Sequence, residues 1–324
     1  MSHIGGYFSF EQDSRTNAIP WMDSAISVQS GRMALLYELQ HRNIETIWLP
    51  YFYCDTVPSL LQNCGYDIKF YSLDENYRVV FPKDYSTMDI IILVDYFGLT
   101  GNSVQKDLDF LGHTNVIVDA CMSLWTQLKS DVPIFYSLRK FFGVPDGGYL
   151  KNPSEITLLK RCKSSLSKAR ARHLFLRQAG KLEKGRSEFA IAEESFSLDT
   201  KPHTISTFTQ KLISNINFEK AYKKRRTNFR YLKKCLLDSD IVVESIPKNT
   251  APLCLPIHNK NASDIVTNLA KKGIFCARYW PNLSLPKDDL KGLELLEKTF
   301  YLPIDQRYGK HEMNLIASEL RRFL

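Results

Sequence analysis

Five short apolar runs separated by helical patterns constrain this chain more than any other feature. Thr46–Pro50 (TIWLP), Tyr66–Leu73 (YDIKFYSL), Met88–Phe97 (MDIIILVDYF), Asn115–Cys121 (NVIVDAC) and Pro133–Leu138 (PIFYSL) read as strands. Several are near-continuous rather than strictly alternating, the pattern of strands buried on both faces of a parallel sheet. Arg32–His41 and Val57–Cys64 between them have helical spacing. The alternation predicts an α/β domain, with a mostly parallel central sheet flanked by helices and right-handed crossovers.

The second half follows a different plan. A long helix rich in Lys and Arg is expected from about Lys211 to Leu237. Beyond it come a strand at Leu253–Ile257, a helix at Ala262–Lys272 ended by Gly273, a short strand at Ile274–Ala277 and a last helix over His311–Arg322. This predicts a large α/β domain over 1–235 and a smaller α+β domain over 236–324. A chain of 324 residues is long enough for both.

With 44% hydrophobic and 24% charged residues, disordered and fibrous classes are excluded. The longest apolar run, Ile90–Val94, is far short of the roughly 20 residues of a membrane span. The first residues lack a basic stretch followed by an apolar one, so no secretory signal is expected. Seven scattered cysteines, none spaced as CxxC, point to neither a disulfide framework nor a zinc site. A cytoplasmic location is the expectation.

The net charge of +8 is concentrated. Lys160–Arg186 holds ten Lys and Arg against one acid, Glu183. Leu159, Cys162, Leu166 and Ala169 recur there at steps of three and four, predicting an amphipathic helix with a basic outer face. Such a face serves anionic substrates or polyanions, or is only solvated. No aromatics interleave regularly, which argues against a nucleic-acid stacking platform.

Ligands of open α/β sheets sit beyond the carboxyl ends of the strands, and three such places carry unusual residues. Ser30-Gly31-Arg32 opens a helix, where free backbone N–H groups and the helix dipole receive an anion, or where Ser-Gly is simply a cap. Asp119 ends Val116-Ile117-Val118; a carboxylate at the tip of a buried strand needs a partner, whether a protonated ring nitrogen, a metal or a turn amide. No His or second acid lies nearby in sequence, so the metal is the weakest of the three. Ser137-Leu138-Arg139-Lys140 is followed by Phe141-Phe142-Gly143 and by Gly147-Gly148. A lysine among aromatics and beside an arginine is disfavoured as an ammonium and becomes nucleophilic; the alternative is a lysine snorkelling to solvent.

Taken in order, these elements resemble the DegT/DnrJ/StrS-type sugar aminotransferases of the aspartate aminotransferase superfamily. The resemblance runs through Ser30-Gly31-Arg32, Pro50-Tyr51-Phe52-Tyr53-Cys54, Asp95-Tyr96-Phe97-Gly98 and Val118-Asp119-Ala120. It continues through Ser137–Lys140 with Gly147-Gly148, Lys272-Gly273-Ile274 and Leu302-Pro303-Ile304. It implies a fold-type-I enzyme dependent on pyridoxal 5′-phosphate (PLP), with no metal, moving an amino group from glutamate to a keto sugar that is nucleotide-linked. Lys140 aligns with the lysine that bonds the cofactor and shuttles the proton, and Asp119 with the acid that keeps the pyridine nitrogen protonated. The Gly31 and Arg32 amides, with Ser30 and the Ser137 hydroxyl, align with the phosphate cup, and Tyr53 with the aromatic that stacks on the ring. Homodimers with shared active sites are the family's habit, which implies the same assembly here. Two departures stand out. Met122 replaces the usual Gln or His beside the cofactor and cannot donate a hydrogen bond. Thr204–Thr209 stands where an Asn-Tyr-Arg element commonly reaches into the partner's site. Two rival expectations are a PLP-binding protein with a different or no reaction, and a non-enzymatic polyanion binder.

Overall fold

The computed structural model describes residues 3–11, 18–236 and 246–324. At its centre lies an eight-stranded sheet in the spatial order Ile26–Val28, Gly148–Lys151, Ile134–Ser137, Val116–Asp119, Ile90–Val94, Thr46–Pro50, Asp67–Leu73, Val79–Val80. The five inner strands are parallel, and the outer pairings at both ends are antiparallel. All five residues of Ile90–Val94 are buried, as a strand covered on both faces requires. All five sequence-expected strands form: Thr46–Pro50 as expected, Tyr66–Leu73 without its first residue, and the other three trimmed at both ends. The strand expected to reach Phe97 stops at Val94 because the Asp95–Gly98 turn takes over. Phe97 there adopts φ +59°, Asp95 Oδ1 accepts from the Thr100 amide at 3.1 Å, and Thr100 Oγ1 accepts from the Tyr96 amide at 2.7 Å.

Helix Gly31–Leu39 is buried at every position but Arg32, so it has no polar face and runs through the core. Its one buried acid is satisfied: Glu38 pairs with Arg42 at 2.7 Å and accepts from the Ser154 amide at 3.0 Å. The expected long basic helix is two, Thr207–Ile213 and Phe218–Cys235. Asn217 restarts it, its side chain accepting from the Lys220 amide at 2.9 Å; Leu237 lies outside the described residues.

The expected stripe at 159–169 is corrected. Helices Ser164–Arg170, Arg172–Gln178 and Leu182–Ser197 form, but Leu166 and Ala169 are exposed, while Ser167, Arg170, His173 and Leu174 face inward. A charge occupies the buried side because it has partners there. Arg170 pairs with Asp199 at 2.9 Å, donates to Ser195, and stacks on Phe196 at 3.8 Å.

The antiparallel pair Cys254–His258 and Thr299–Pro303 and the helices Ala262–Lys271, Leu290–Glu297 and Lys310–Leu320 form an α+β layer. The chain's beginning joins it, since Ile4–Gly5 pairs in parallel with Ile274–Phe275.

Candidate active site

Because the inner strands are parallel, the residues that follow Pro50, Val94, Asp119 and Ser137 emerge along one edge of the sheet. The chain order reverses about Thr46–Pro50, which has Asp67–Leu73 on one side and Ile90–Val94 on the other, the kind of switch point where α/β sheets bind ligands.

Asp119, 7% exposed, has a partner for each carboxylate oxygen. The Cys121 amide donates to Oδ1 at 2.7 Å and the Tyr53 hydroxyl to Oδ2 at 2.6 Å. Burial, and then the neighbouring charge of Asp119, push the Tyr53 phenol well above its ordinary range, so it remains a donor.

Lys140 ends the single turn Leu138–Lys140 that follows strand Ile134–Ser137, whose Phe135 is the ladder partner of Asp119. Acid and amine thus leave adjacent parallel strands at the same edge. The buried Cys121 thiol feels both: burial raises its pKa most, Asp119 raises it further and Lys140 lowers it. Lys140 Nζ stands 6.0 Å from the Trp280 ring centroid. Arg139 is ion-paired with Glu193 and stacked over Phe196 at 3.9 Å. Beside Lys140 opens a cavity of about 520 Å³, walled by Ser137, Arg225, Cys254, Tyr279 and the N-terminal residues Tyr7 and Phe8.

Ser30 caps helix Gly31–Leu39, its hydroxyl accepting from the Met33 amide at 3.3 Å. The Gly31 and Arg32 amides ahead of it have no intrahelical acceptor by geometry. The end of strand Gly148–Lys151 presses directly on this cap. A Cβ on Gly148 would lie 2.3 Å from the Ser30 carbonyl carbon and oxygen, and one on Gly31 would lie 2.4 Å from Cys121 Sγ. Ser137 faces Gly148 in the ladder, and the Gly147 amide donates to Gln29 O at 3.0 Å. Ser30, Gly31, Asp119, Ser137 and Lys140 are therefore gathered at one edge.

Tyr53 reaches the same place, with its hydroxyl on Asp119 and Trp280 edge-on at 6.4 Å. Met122 is buried in the core. Thr204–Thr209 is engaged within its own chain: Thr204 Oγ1 lies 2.8 Å from Ser27 Oγ, and Ser206 caps Thr207–Ile213. Sequence reasoning missed Trp280, Cys121, Arg225 and Gln306. The first three lie in no periodic pattern that marks a site, and Gln306 carried only its adjacency to Leu302-Pro303-Ile304. Among the described residues no three His, Cys, Asp or Glu gather as metal ligands.

No family model and no curated protein matches the sequence. Solved structures do match in three dimensions. The aminotransferase TlmJ from Streptoalloteichus hindustanus is 12% identical, with a TM-score of 0.67 and 98% of each chain covered. A DegT DnrJ EryC1 StrS aminotransferase from Brucella abortus is 17% identical, TM-score 0.60, covering 94% of this chain and 87% of that one. The sugar aminotransferase CalS13 from Micromonospora echinospora is 13% identical, TM-score 0.61, covering 92% and 87%. The chain has the fold of the sugar aminotransferases. Asp119 ends one strand of that fold's central sheet and Lys140 ends the turn that follows the adjacent strand, beside the glycine-lined cap.

Proposed function

We propose that this chain is a PLP-dependent aminotransferase that moves an amino group from glutamate to a nucleotide-linked keto sugar in the cytoplasm. The observation that carries the reading is the adjacency of Asp119 and Lys140 at one sheet edge, with the Cys121 amide on Asp119 and the Gly31 cap alongside.

The residues present fit that cofactor. Its phosphate calls for backbone donors at a helix N-terminus, which Gly31 and Arg32 offer, with the Ser137 hydroxyl near. Its ring nitrogen calls for a buried carboxylate, and its carbonyl carbon for an amine. When bound, PLP supplies an electron sink for the carbon being aminated. Asp119 is the carboxylate that would hold a proton on the ring nitrogen, and the Cys121 amide fixes its orientation. Lys140 Nζ is the amine that would hold the cofactor through its carbonyl carbon, with the carbonyl oxygen leaving as water, and would serve as the base beside the substrate carbon. Trp280 places its ring 6.0 Å from the amine, on the side of the C-terminal layer. The cavity beside Lys140 has the size of a small-ligand site, and its tyrosines Tyr7, Tyr279 and Tyr301 suit the hydroxyl-rich face of a sugar.

DesI, 14% identical, was solved in the presence of its TDP-sugar product, and NtdA from Bacillus subtilis, also 14% identical, with bound PMP. Both support the choice of substrate and cofactor. A homodimer accompanies this reading, with Ile156 and Leu158, 80% and 101% exposed, as apolar surface for a second copy to cover. The division into a catalytic domain over 1–235 and a smaller one over 236–324 belongs to the same proposal. Among the described residues no helix is long and apolar enough to cross a membrane.

One observation favours a second reading, a PLP protein with another reaction or none. The buried Met122 offers the cofactor no hydrogen bond. The polyanion reading loses ground because Arg161, Arg170, Arg172 and Arg177 are engaged within the chain.

The test is reconstitution with PLP. The protein turns yellow, borohydride fixes the cofactor to the Lys140 peptide, Lys140→Ala abolishes both, and glutamate bleaches the visible band. A colourless wild-type protein overturns the reading. A yellow one that no amino donor bleaches leaves the second reading in its place.

A further inference from the structure

Behind the Lys140 turn lies a group of polar side chains that the proposed reaction does not use. Phe141, the next residue, points its carbonyl into the protein, where it accepts from Gln306 Nε2 at 2.7 Å and from Arg225 Nη2 at 3.3 Å. Arg225 comes from helix Phe218–Cys235 and is fully buried. Its Nε donates to Gln306 Oε1 at 2.9 Å, and its Nη1 to the carbonyls of Leu253 at 3.1 Å and Pro252 at 3.4 Å. Its guanidinium carbon lies 4.8 Å from the centre of the Phe141 ring.

A guanidinium taken wholly out of water is costly, and this one spends its hydrogen bonds on backbone carbonyls and an amide rather than on a carboxylate. Burial lowers its pKa to about 10, partly offset by the charges of Asp305 and Glu11. The planar fork fixes its donors in space as a lysine cannot. It therefore sets the distance between Pro252–Leu253 and the carbonyl one residue beyond Lys140. Gln306 extends the arrangement, since its Nε2 also donates to Glu11 at 2.5 Å in the N-terminal segment that lines the cavity.

We propose that Arg225 and Gln306 are positioning residues that hold the Phe141 carbonyl, and through it aim the Lys140 amine into the cavity. This rests on the reading of Lys140 as the nucleophile. The turn is one three-residue coil, so a shift at Phe141 passes to Lys140 with nothing to absorb it. Displacements near 1 Å at a reacting group cost on the order of a hundredfold in rate.

Arg225→Lys and Gln306→Leu test this in two measurements. Hydrogen exchange on the protein without PLP reads the clamp alone. Amides of 138–144 are expected to exchange about tenfold faster in both variants, while those of Val116–Asp119 and Gly148–Lys151 keep the wild-type rate. In the PLP-loaded protein, the first-order rate of bleaching by saturating glutamate is expected to fall about tenfold for Gln306→Leu and further for Arg225→Lys, with the half-saturating glutamate concentration within about twofold of wild type. Exchange that is unchanged at 138–144, or accelerated equally across the sheet, overturns the clamp whether or not the wild type takes up PLP. Faster local exchange with an unaltered bleaching rate overturns its role in aiming Lys140. A wild type that takes up no PLP, with exchange accelerated only at 138–144, retains the clamp and removes the Lys140 reading instead.

Discussion

The Tyr53 hydroxyl donates to Asp119 Oδ2 at 2.6 Å, although the two residues follow strands that are not neighbours. The phenol reaches across the end of Ile90–Val94, and both partners are almost wholly buried. A bond to a buried carboxylate draws electron density from it, so in the proposed enzyme Tyr53 would moderate how strongly Asp119 held a proton on the cofactor ring. Tyr53→Phe is expected to destabilise the fold by about 1–3 kcal/mol, because Asp119 loses a buried donor. It should also tighten PLP retention, because the carboxylate becomes the stronger acceptor. Urea unfolding and the PLP dissociation constant read the two effects separately; weaker retention in a fully folded variant would make Tyr53 a direct support of the ring instead.

The glycine contacts at the cap give a second prediction, with a built-in control. Gly148→Ala drives a Cβ into the Ser30 carbonyl, backbone that has nowhere to yield, and is expected to cost about 3 kcal/mol or more and to abolish PLP uptake. Gly31→Ala meets only the Cys121 sulfur, so Cys121→Ala in the same chain should restore a large part of its stability. A double-mutant cycle in urea measures this coupling. No coupling between 31 and 121 would mean that the sulfur moves aside freely.

The strands of the sheet were legible because full burial on both faces writes itself as an uninterrupted apolar run, as at Ile90–Val94. Asp119 and Lys140 stand out in the sequence because they interrupt such a context, and the fold brings them to one edge of the sheet. What stayed hidden was set by tertiary partners. Tyr53 was expected to offer a ring face, and its hydroxyl bond to Asp119 depends on a crossing that no local pattern encodes. Arg225 sits in a helix crowded with Lys and Arg, where nothing in the spacing separates the one buried guanidinium from the half-buried and exposed cations beside it. The inward face of Ser164–Gln178 failed for the same reason, since hydrophobic periodicity cannot find a helix that buries Ser167 and Arg170.

That helix yields a third prediction. Arg170→Ala leaves Asp199 without its partner and Phe196 with Arg139 as its remaining cation, and is expected to cost about 3–5 kcal/mol. Lys168→Ala, one turn edge away and exposed, should change stability by less than about 0.5 kcal/mol. If the whole 160–186 stretch were a solvated basic face, the two variants would unfold alike.

Two groups near the cavity make stability depend on pH in opposite directions. Burial, reinforced by the charge of Arg139, lowers His173 from 6.5 to about 4, so the folded chain keeps the ring neutral where the unfolded chain has already bound a proton. Stability from this group is complete above about pH 6.5 and is lost as pH falls toward 4. Glu11 is pushed up from 4.5 to about 7, chiefly by burial, so the folded chain retains a proton that the unfolded chain has released. Its contribution is complete below about pH 4.5 and is lost as pH rises through 7. Each effect is at most about 3 kcal/mol. Difference curves isolate them from every other titrating group. The stability of Glu11→Gln relative to wild type should rise between pH 4.5 and 7. That of His173→Phe, which keeps an aromatic against Tyr7 and Phe189, should rise as pH drops from 6.5 to 4. Urea unfolding at half-unit steps from pH 4 to 8 measures both. A flat Glu11→Gln difference would mean that the Glu11 carboxylate is ionised in the folded protein at pH 5 and is paired closely with Arg225.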